Sequence, residues 1–145
     1  MKYFAYGSNL LPSRLLERTP GAVLLGTAWL PGYALRWHKR GRDGSGKCNV
    51  VQEAGSSVPG AVYEIPEAEM ADLDRIEGGY ERVALTLADY GEVWFYVALP
   101  ASIDEHCAPA AGYVGLVQAG RQWHGLPACE AVRPAPEGDL SMPST

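Results

Sequence analysis

The sequence contains little cysteine, and what it has is not paired. Its three cysteines, Cys48, Cys107 and Cys129, are far apart and odd in number, and they form no C-x-x-C pair. This usage argues against a disulfide framework and predicts three reduced thiols, as in a cytoplasmic protein. A nucleophilic Cys–His pair stays open at this point, because such partners meet only in the fold.

Long hydrophobic runs are also missing from the start of the chain. The apolar run Tyr3–Tyr6 stops at Gly7, which makes it too short for the core of a signal peptide or for a membrane span. We therefore expect a soluble protein that has no membrane partner.

Basic residues are in the minority, with 12 Lys and Arg against 17 Asp and Glu and a formal net charge of -5. This balance does not favour nucleic acid as a partner. Five of the 12 basic residues lie between Arg36 and Lys47, which indicates either a solvated loop or a local attraction for a carboxylate substrate. The histidines His38, His106 and His124 show no metal-ligand spacing, so we expect no metal and no cofactor.

The length of 145 residues, with 47% hydrophobic and 20% charged side chains, suits one compact domain. We place this domain at residues 1–133. From Pro134 onward the chain is rich in proline, glycine, serine and acidic residues, so residues 134–145 are predicted to be a flexible tail. The sequence gives no preference between a monomer and a homodimer.

Strand and helix patterns alternate along the domain. We predict strands at Lys2–Tyr6, across Ala22–Trp37 (two strands, or one strand bent at Pro31-Gly32), at Cys48–Glu53 paired with Val58–Ile65 through Gly55–Ser57, and as a hairpin of Val83–Leu87 with Val93–Leu99. Helices are predicted from Pro12, over Pro66–Glu77 and over Pro109–His124, with a short helix following to Arg133. The pattern predicts an α+β domain whose mixed or antiparallel sheet closes into a small β-barrel with flanking helices.

Glu77 occupies an unusual position on the predicted helix Pro66–Glu77. Met70, Leu73 and Ile76 form an apolar stripe at helical spacing, and Glu77 falls on the same stripe. A partly buried carboxyl at the negative end of a helix should have a raised pKa. General acid–base chemistry near neutral pH needs such a carboxyl.

The residues alone support a second interpretation of Glu77 equally well. In that interpretation the side chain lies at the rim of the fold, with its tip in water or paired with Arg75 or Arg82. Asp74, across the same face of the helix, is the second candidate for the acid. Tyr80, which follows Glu77 closely, is a further candidate for the lining of a pocket beside the acid.

The first predicted strand ends abruptly at Tyr6-Gly7-Ser8-Asn9. Gly7 permits a tight turn, and successive backbone N–H groups near a helix N-terminus suit a carboxylate or an oxyanion. An ordinary strand–turn–helix with Asn9 or Ser13 as the cap explains the same residues, and on physical grounds alone it is the better explanation.

Three segments of the chain form a longer pattern. They are Tyr3-Phe4-Ala5-Tyr6-Gly7-Ser8-Asn9-Leu10, then Leu73-Asp74-Arg75-Ile76-Glu77-Gly78, and finally Tyr113 with Gly120 and Gly125-Leu126-Pro127. In this order they resemble the signature, the "LD-x-x-EG" element with the catalytic glutamate, and the C-terminal stretch of the γ-glutamylcyclotransferase-like (AIG2-like) superfamily. The resemblance spans nearly the whole chain apart from the tail.

This resemblance implies a small β-barrel with flanking helices and an enzyme that cyclises a γ-glutamyl group to 5-oxoproline, with release of the attached amine or amino acid. It implies that the substrate's own α-amine attacks the γ-carbonyl, with Glu77 as general base and acid. It also implies a substrate-binding set made of Tyr3, Phe4, Ala5, Tyr6, Gly7, Ser8, Asn9, Leu10 and the hydroxyl of Tyr113. The alternative is a family member that binds a small γ-glutamyl-like anionic ligand without turning it over.

Overall fold

A computed structural model describes residues 1–130 of the chain. These residues form five strands and three α-helices, with short 3₁₀ helices at Ser8–Leu10 after the first strand and at Pro100–Ser102 after the last strand. In chain order the elements are β1 (Lys2–Ala5), α1 (Pro12–Arg18), β2 (Val23–Arg40), β3 (Gly46–Glu64), α2 (Glu67–Ile76), β4 (Tyr80–Leu87), β5 (Gly91–Ala98) and α3 (Ala111–Trp123).

The strands form one mixed sheet in the order β2-β3-β1-β5-β4. The central strand β1 is antiparallel to β3, with Phe4 opposite Val62, and parallel to β5, with Tyr3 opposite Trp94. The predicted α+β class with a mixed sheet and flanking helices is thus confirmed. The sheet is open rather than closed, since the described parts of β2 and β4 do not pair with each other, so "barrel" describes it only loosely.

The predicted pairing of Cys48–Glu53 with Val58–Ile65 is wrong. Both segments belong to the single long strand β3, which pairs along its length with β2. Gly55, with φ +84, and Gly32, with φ +77, lie at an irregularity where the register shifts between Pro31 and Tyr33. The two glycines therefore let both strands bend together instead of turning one strand back on itself. The prediction of one strand bent at Pro31-Gly32 is confirmed.

The helices lie close to their predicted positions. Helix α2 begins at Glu67, with Pro66 as its N-cap, and Glu77 is the residue directly after its last turn. A left-handed backbone, which commonly follows the end of a helix, is found at Gly79, with φ +85, and not at Gly78. Residues 126–130 contain no helix. The rest of the short helix predicted up to residue 133, the domain boundary and the predicted tail all lie outside the described residues.

Strand β1 is buried on both faces of the sheet. Its side chains alternate, so that Tyr3 and Ala5 pack into the core beneath α1 and α2, while Phe4 and Tyr6 pack into the core beneath α3. The chain therefore leaves β1 in the interior of the molecule, and the turn that follows is buried as well. Within residues 1–130, no helix is long and apolar enough to cross a membrane.

Candidate active site

The segment after β1, Gly7–Leu10, is named here the first turn. Its glycine packs tightly, since a Cβ atom at Gly7 would lie 3.2 Å from the Cβ of Cys48 and 3.5 Å from the hydroxyl oxygen of Tyr113. That hydroxyl accepts a hydrogen bond of 3.0 Å from the backbone N–H of Cys48. The fold therefore brings Tyr113 of α3 next to the first turn, although more than one hundred residues separate them along the chain.

Glu77 lies on the other side of the first turn and contacts it directly. Its side chain is only 1% exposed, and its Oε1 atom accepts a hydrogen bond of 2.9 Å from Nδ2 of Asn9. Nη1 of Arg18 lies 3.3 Å from the same oxygen. The interpretation of Glu77 as an acid at the rim is therefore wrong, and its proposed partners Arg75 and Arg82 pair with other carboxylates.

Two further contacts fix the geometry around Glu77. Asn9 also donates to the hydroxyl of Tyr3 at 3.1 Å, and its Oδ1 atom accepts a hydrogen bond of 3.1 Å from Arg18. We call Tyr3, Asn9, Arg18 and Glu77 the acid cluster. Asn9 and Arg18 contact Oε1 of Glu77 directly, and Tyr3 and Arg18 contact Asn9. The carboxyl group is therefore held through its Oε1 atom.

The second carboxyl oxygen of Glu77 differs from the first. Its Oε2 atom is buried and has no hydrogen-bond partner among the described residues. Buried polar atoms are normally paired, because leaving one unpaired costs about 1–3 kcal/mol. Among the described residues, the two oxygens of this carboxyl are therefore not equivalent.

The environment of Glu77 raises its pKa to about 7 from an ordinary value of 4.5. Burial is the main cause, because it disfavours the charged carboxylate. Arg18, the hydrogen bond from Asn9, and Lys39 act in the opposite direction and stabilise the charged form. The raised pKa that the position of Glu77 on the inner stripe predicts is therefore confirmed, with burial as its main cause.

The other residues predicted to bind substrate are distributed around the first turn. Ser8 is buried, and its hydroxyl accepts a hydrogen bond of 3.0 Å from Nε of Arg14. The side chain of Tyr6 packs into the core beneath α3 and donates to the carbonyl of Tyr96 at 2.6 Å. Phe4, Ala5 and Leu10 are fully buried apolar residues, so only their backbone groups remain as candidates for polar contact with a ligand.

Asp74 and Tyr80, the two secondary candidates, have different surroundings. Asp74 accepts a hydrogen bond of 2.7 Å from the hydroxyl of Tyr96 and pairs with Arg82 at 2.9 Å. Tyr80 donates to the carbonyl of Cys48 at 2.6 Å, beside the residue that packs on Gly7. The structure thus places Tyr80, and not Asp74, next to the first turn.

Sequence reasoning missed Arg18 and Lys39. A signal for Arg18 was present, because Arg14 and Arg18 are four residues apart and therefore share one face of α1. Lys39 had been counted only as a member of the basic segment. It is 6% exposed, and its Nζ lies 4.8 Å from the centre of the Tyr80 ring.

The described residues bring no metal-binding group together, and burial works against a reactive thiolate at Cys48. Residues 1–130 contain no group of three or more His, Cys, Asp or Glu placed to hold a metal ion. Burial raises the pKa of the Cys48 thiol to about 12, which makes a reactive thiolate unfavourable. Nε2 of His38 contacts Asn49, and Nε2 of His124 contacts the carbonyl of Leu10, so neither ring pairs with a described cysteine.

Two cavities lie near these elements. The larger, of about 740 Å³, is lined by residues of β2, β3, α3 and positions 128–130, and it does not include the acid cluster. The smaller, of about 290 Å³, is lined by Ile76, Gly78 and Gly79 on either side of Glu77, and by Lys39. The smaller cavity is therefore the one next to the candidate acid.

Fold and site together define a class of α+β protein that holds a buried carboxyl of near-neutral pKa beside the turn after its first strand. The chain belongs to the family described as Gamma-glutamyl cyclotransferase, AIG2-like, whose family model matches residues 3–122. That match includes the first turn, Glu77 and Tyr113.

Curated relatives resemble part of the chain. A Gamma-glutamylcyclotransferase from Mus musculus is 34% identical over 87 residues, which cover 52% of this chain and 43% of the relative. A Gamma-glutamylcyclotransferase from Homo sapiens is 33% identical over 81 residues, with the same two shares. The match thus spans less than half the length of these relatives.

Solved structures resemble nearly the whole fold. A structure described as Gamma-glutamyl cyclotransferase superposes with a TM-score of 0.85 at 24% identity, covering 97% of this chain and 93% of that one. An uncharacterized protein from Homo sapiens superposes with a TM-score of 0.79 at 24% identity, covering 99% and 92%. At these identities the comparison establishes the fold.

Proposed function

We propose that this protein is a γ-glutamylcyclotransferase-type enzyme, which converts the γ-glutamyl group of a small substrate into 5-oxoproline and releases the attached amine or amino acid. The observation that carries the proposal is the buried, unpaired Oε2 atom of Glu77 in a carboxyl whose Oε1 is held by Asn9. Family membership and the names of the curated relatives support the same reaction.

The reaction needs proton transfer and positioning more than a nucleophilic side chain. The α-nitrogen of the substrate forms a bond to the carbonyl carbon of its own γ-amide, the original amide C–N bond breaks, and the two protons lost by the α-ammonium leave with the amine. In the proposal, Oε2 of Glu77 takes up a proton from the α-ammonium and delivers it to the leaving nitrogen. A carboxyl with a pKa of about 7 can act in both directions at neutral pH.

The first turn would hold the γ-glutamyl group. Ser8 and Asn9 begin a 3₁₀ helix, and the first N–H groups of such a helix have no acceptor within it. These groups, together with the hydroxyl of Tyr113 next to Gly7, are the donors that we propose for the substrate carboxylate and for the oxyanion that forms on the γ-carbonyl. Folding the substrate back on itself would supply much of the rate enhancement.

A binder without catalysis fits the acid cluster less well. A small anionic ligand gains nothing from a second carboxylate beside it, whereas a substrate with an α-ammonium group gains both a partner and a base. The observation that separates the two is the release of product.

The test is a comparison of Glu77→Gln with the wild type on a panel of γ-glutamyl amino acids and γ-glutamyl amines. We expect wild-type protein to release 5-oxoproline, detected by mass spectrometry, and Glu77→Gln to lose about 100- to 10,000-fold of kcat/KM. Glu81→Gln, which changes an exposed glutamate at the start of β4, is the matched control and should keep wild-type activity.

Two results would contradict the proposal. A Glu77→Gln variant with the wild-type rate would remove the assigned acid and base. Saturable binding of the panel by wild-type protein, with no 5-oxoproline from any member, would instead identify a ligand-binding protein.

A further inference from the structure

Lys39 is a buried cation at the wall of the smaller cavity. It is 94% buried, as its relative exposure of 6% shows, yet among the described residues no carboxylate forms an ion pair with it. The neighbouring basic residues differ in this respect, since Arg40 pairs with Asp104 at 3.0 Å and Lys47 pairs with Asp43 at 3.3 Å. A buried ammonium without a carboxylate is costly, and its retention needs a reason.

An irregularity in the sheet and the glycine after α2 both leave space for the side chain of Lys39. The register of β2 against β3 shifts between Arg36 and Lys39, and such an irregularity re-aims the side chains that follow it. On the facing side, a Cβ atom at Gly79 would lie 2.9 Å from Cε and 3.2 Å from Nζ of Lys39. The absence of a side chain at Gly79 therefore leaves the space that the ammonium occupies.

Lys39 connects the cavity with the candidate acid. It lines the 290 Å³ cavity together with Gly78 and Gly79, which follow Glu77 directly. Its charge also acts on the Glu77 carboxyl and lowers the pKa of that group, which places the two side chains in the same electrostatic environment. A ligand in this cavity would therefore contact Lys39 and the backbone that directly follows Glu77.

The charges around the cavity are of one sign. Its lining contains Lys39, Arg40 and Arg42 and no acidic residue. Its volume is near the lower end of the range of about 300–1,000 Å³ typical of small-molecule sites, so it suits a small group such as a single amino acid. A small anionic group is the ligand that these charges favour.

We propose that the Lys39 ammonium binds the carboxylate of the leaving amino acid and so selects γ-glutamyl substrates whose leaving group carries a carboxylate. This inference rests on the proposed function. The interaction is a charge-assisted hydrogen bond inside a cavity, made to a part of the substrate that does not react. Its loss should therefore affect anionic leaving groups specifically.

The experiment uses two substrates that differ only in this carboxylate, γ-glutamyl-alanine and γ-glutamyl-alaninamide. In wild-type protein kcat/KM should favour the acid, and Lys39→Met should lower kcat/KM for the acid by about 10- to 100-fold more than for the amide. Arg36→Met, which removes an exposed cation from the same strand, is the matched control and should leave the preference unchanged. An equal loss on both substrates would overturn the assignment, because Lys39 would then act only through Glu77 or the fold.

A binding measurement separates failure of this inference from failure of the proposed function. In a Glu77→Gln background, calorimetry should give tighter binding of the acid than of the amide, by about 10-fold or more, and Glu77→Gln/Lys39→Met should lose that difference. If wild-type protein releases no 5-oxoproline but this difference is present, the proposed reaction is wrong and the Lys39 site stands. If product is released but the difference is absent, the Lys39 site is wrong and the reaction stands.

Discussion

Neutralising Glu77 should change the way in which the stability of this protein depends on pH. The carboxyl titrates near 4.5 in an unfolded chain and at about 7 in the fold, mainly because it is buried. Glu77→Gln keeps the size of the side chain and an oxygen that can accept from Asn9, but it removes the titration. A comparison of the two proteins therefore isolates the contribution of this one group.

The direction of the effect follows from which state binds the proton more tightly. With a raised pKa, the folded state keeps its proton in a range of pH where the unfolded state has lost it, so stability falls as pH rises from 4.5 to about 7 and is then level. At 1.36 kcal/mol per pKa unit, the whole loss is about 3 kcal/mol. Because the side chain is 1% exposed, no reduction for solvent screening applies.

Urea denaturation at pH 5, 6, 7 and 8, followed by tryptophan fluorescence, gives the necessary free energies of unfolding. We expect Glu77→Gln to gain about 2 to 3 kcal/mol relative to wild type between pH 5 and pH 8. For the exposed control Glu81→Gln, the difference in the free energy of unfolding from wild type should not change in this direction, or by a comparable amount, over the same range of pH. Parallel curves for Glu77→Gln and wild type would refute the reasoning, because they would show a carboxyl that titrates alike in both states.

Two further substitutions test the surroundings of the acid. Asn9→Ala removes a hydrogen-bond donor that stabilises the charged form of Glu77. The acidic limb of the pH profile of kcat/KM should therefore move to higher pH. A move to lower pH would contradict the assigned hydrogen bond. Gly120→Ala should destabilise the fold by about 1–3 kcal/mol in urea denaturation, because the new Cβ would lie 2.6 Å from Leu10 of the first turn. Gly115→Ala, on the exposed face of the same helix, meets no atom within 4 Å and should instead be stabilising by about 0.5–1 kcal/mol, so equal effects would contradict the packing described.

Local periodicity predicted the part of the site that lies within one element. The spacing of Met70, Leu73 and Glu77 put the acid on the inner face of α2, and all three side chains are buried. Ile76 is predicted on the same stripe but is 37% exposed, although it is the last residue of α2. At about 100° per residue, Glu77 lies between Met70 and Leu73 on the wheel, whereas Ile76 lies at the edge of the stripe.

The partners of Glu77 could not be derived from local patterns. Arg18 is 59 residues away in sequence, and only the packing of α1 on α2 brings its guanidinium to the carboxyl. The same limit applies to β3, where Gly55 and the polar residues after it have the composition of a hairpin turn. Pairing with the equally long β2 decided the outcome, and that pairing is a property of two distant segments.

The value of the Glu77 pKa is the result of opposed effects, and the opposition itself supports a role in proton transfer. Burial alone would keep the carboxyl protonated at neutral pH, so that it could not accept a proton from an ammonium group. Full pairing with Arg18 would keep it charged, so that it could not return a proton to a leaving amine. In this protein Arg18, Asn9 and Lys39 offset only part of the effect of burial, and both forms are populated near pH 7. A group that only had to stabilise the fold would gain from either extreme, whereas a proton shuttle needs the balance between them.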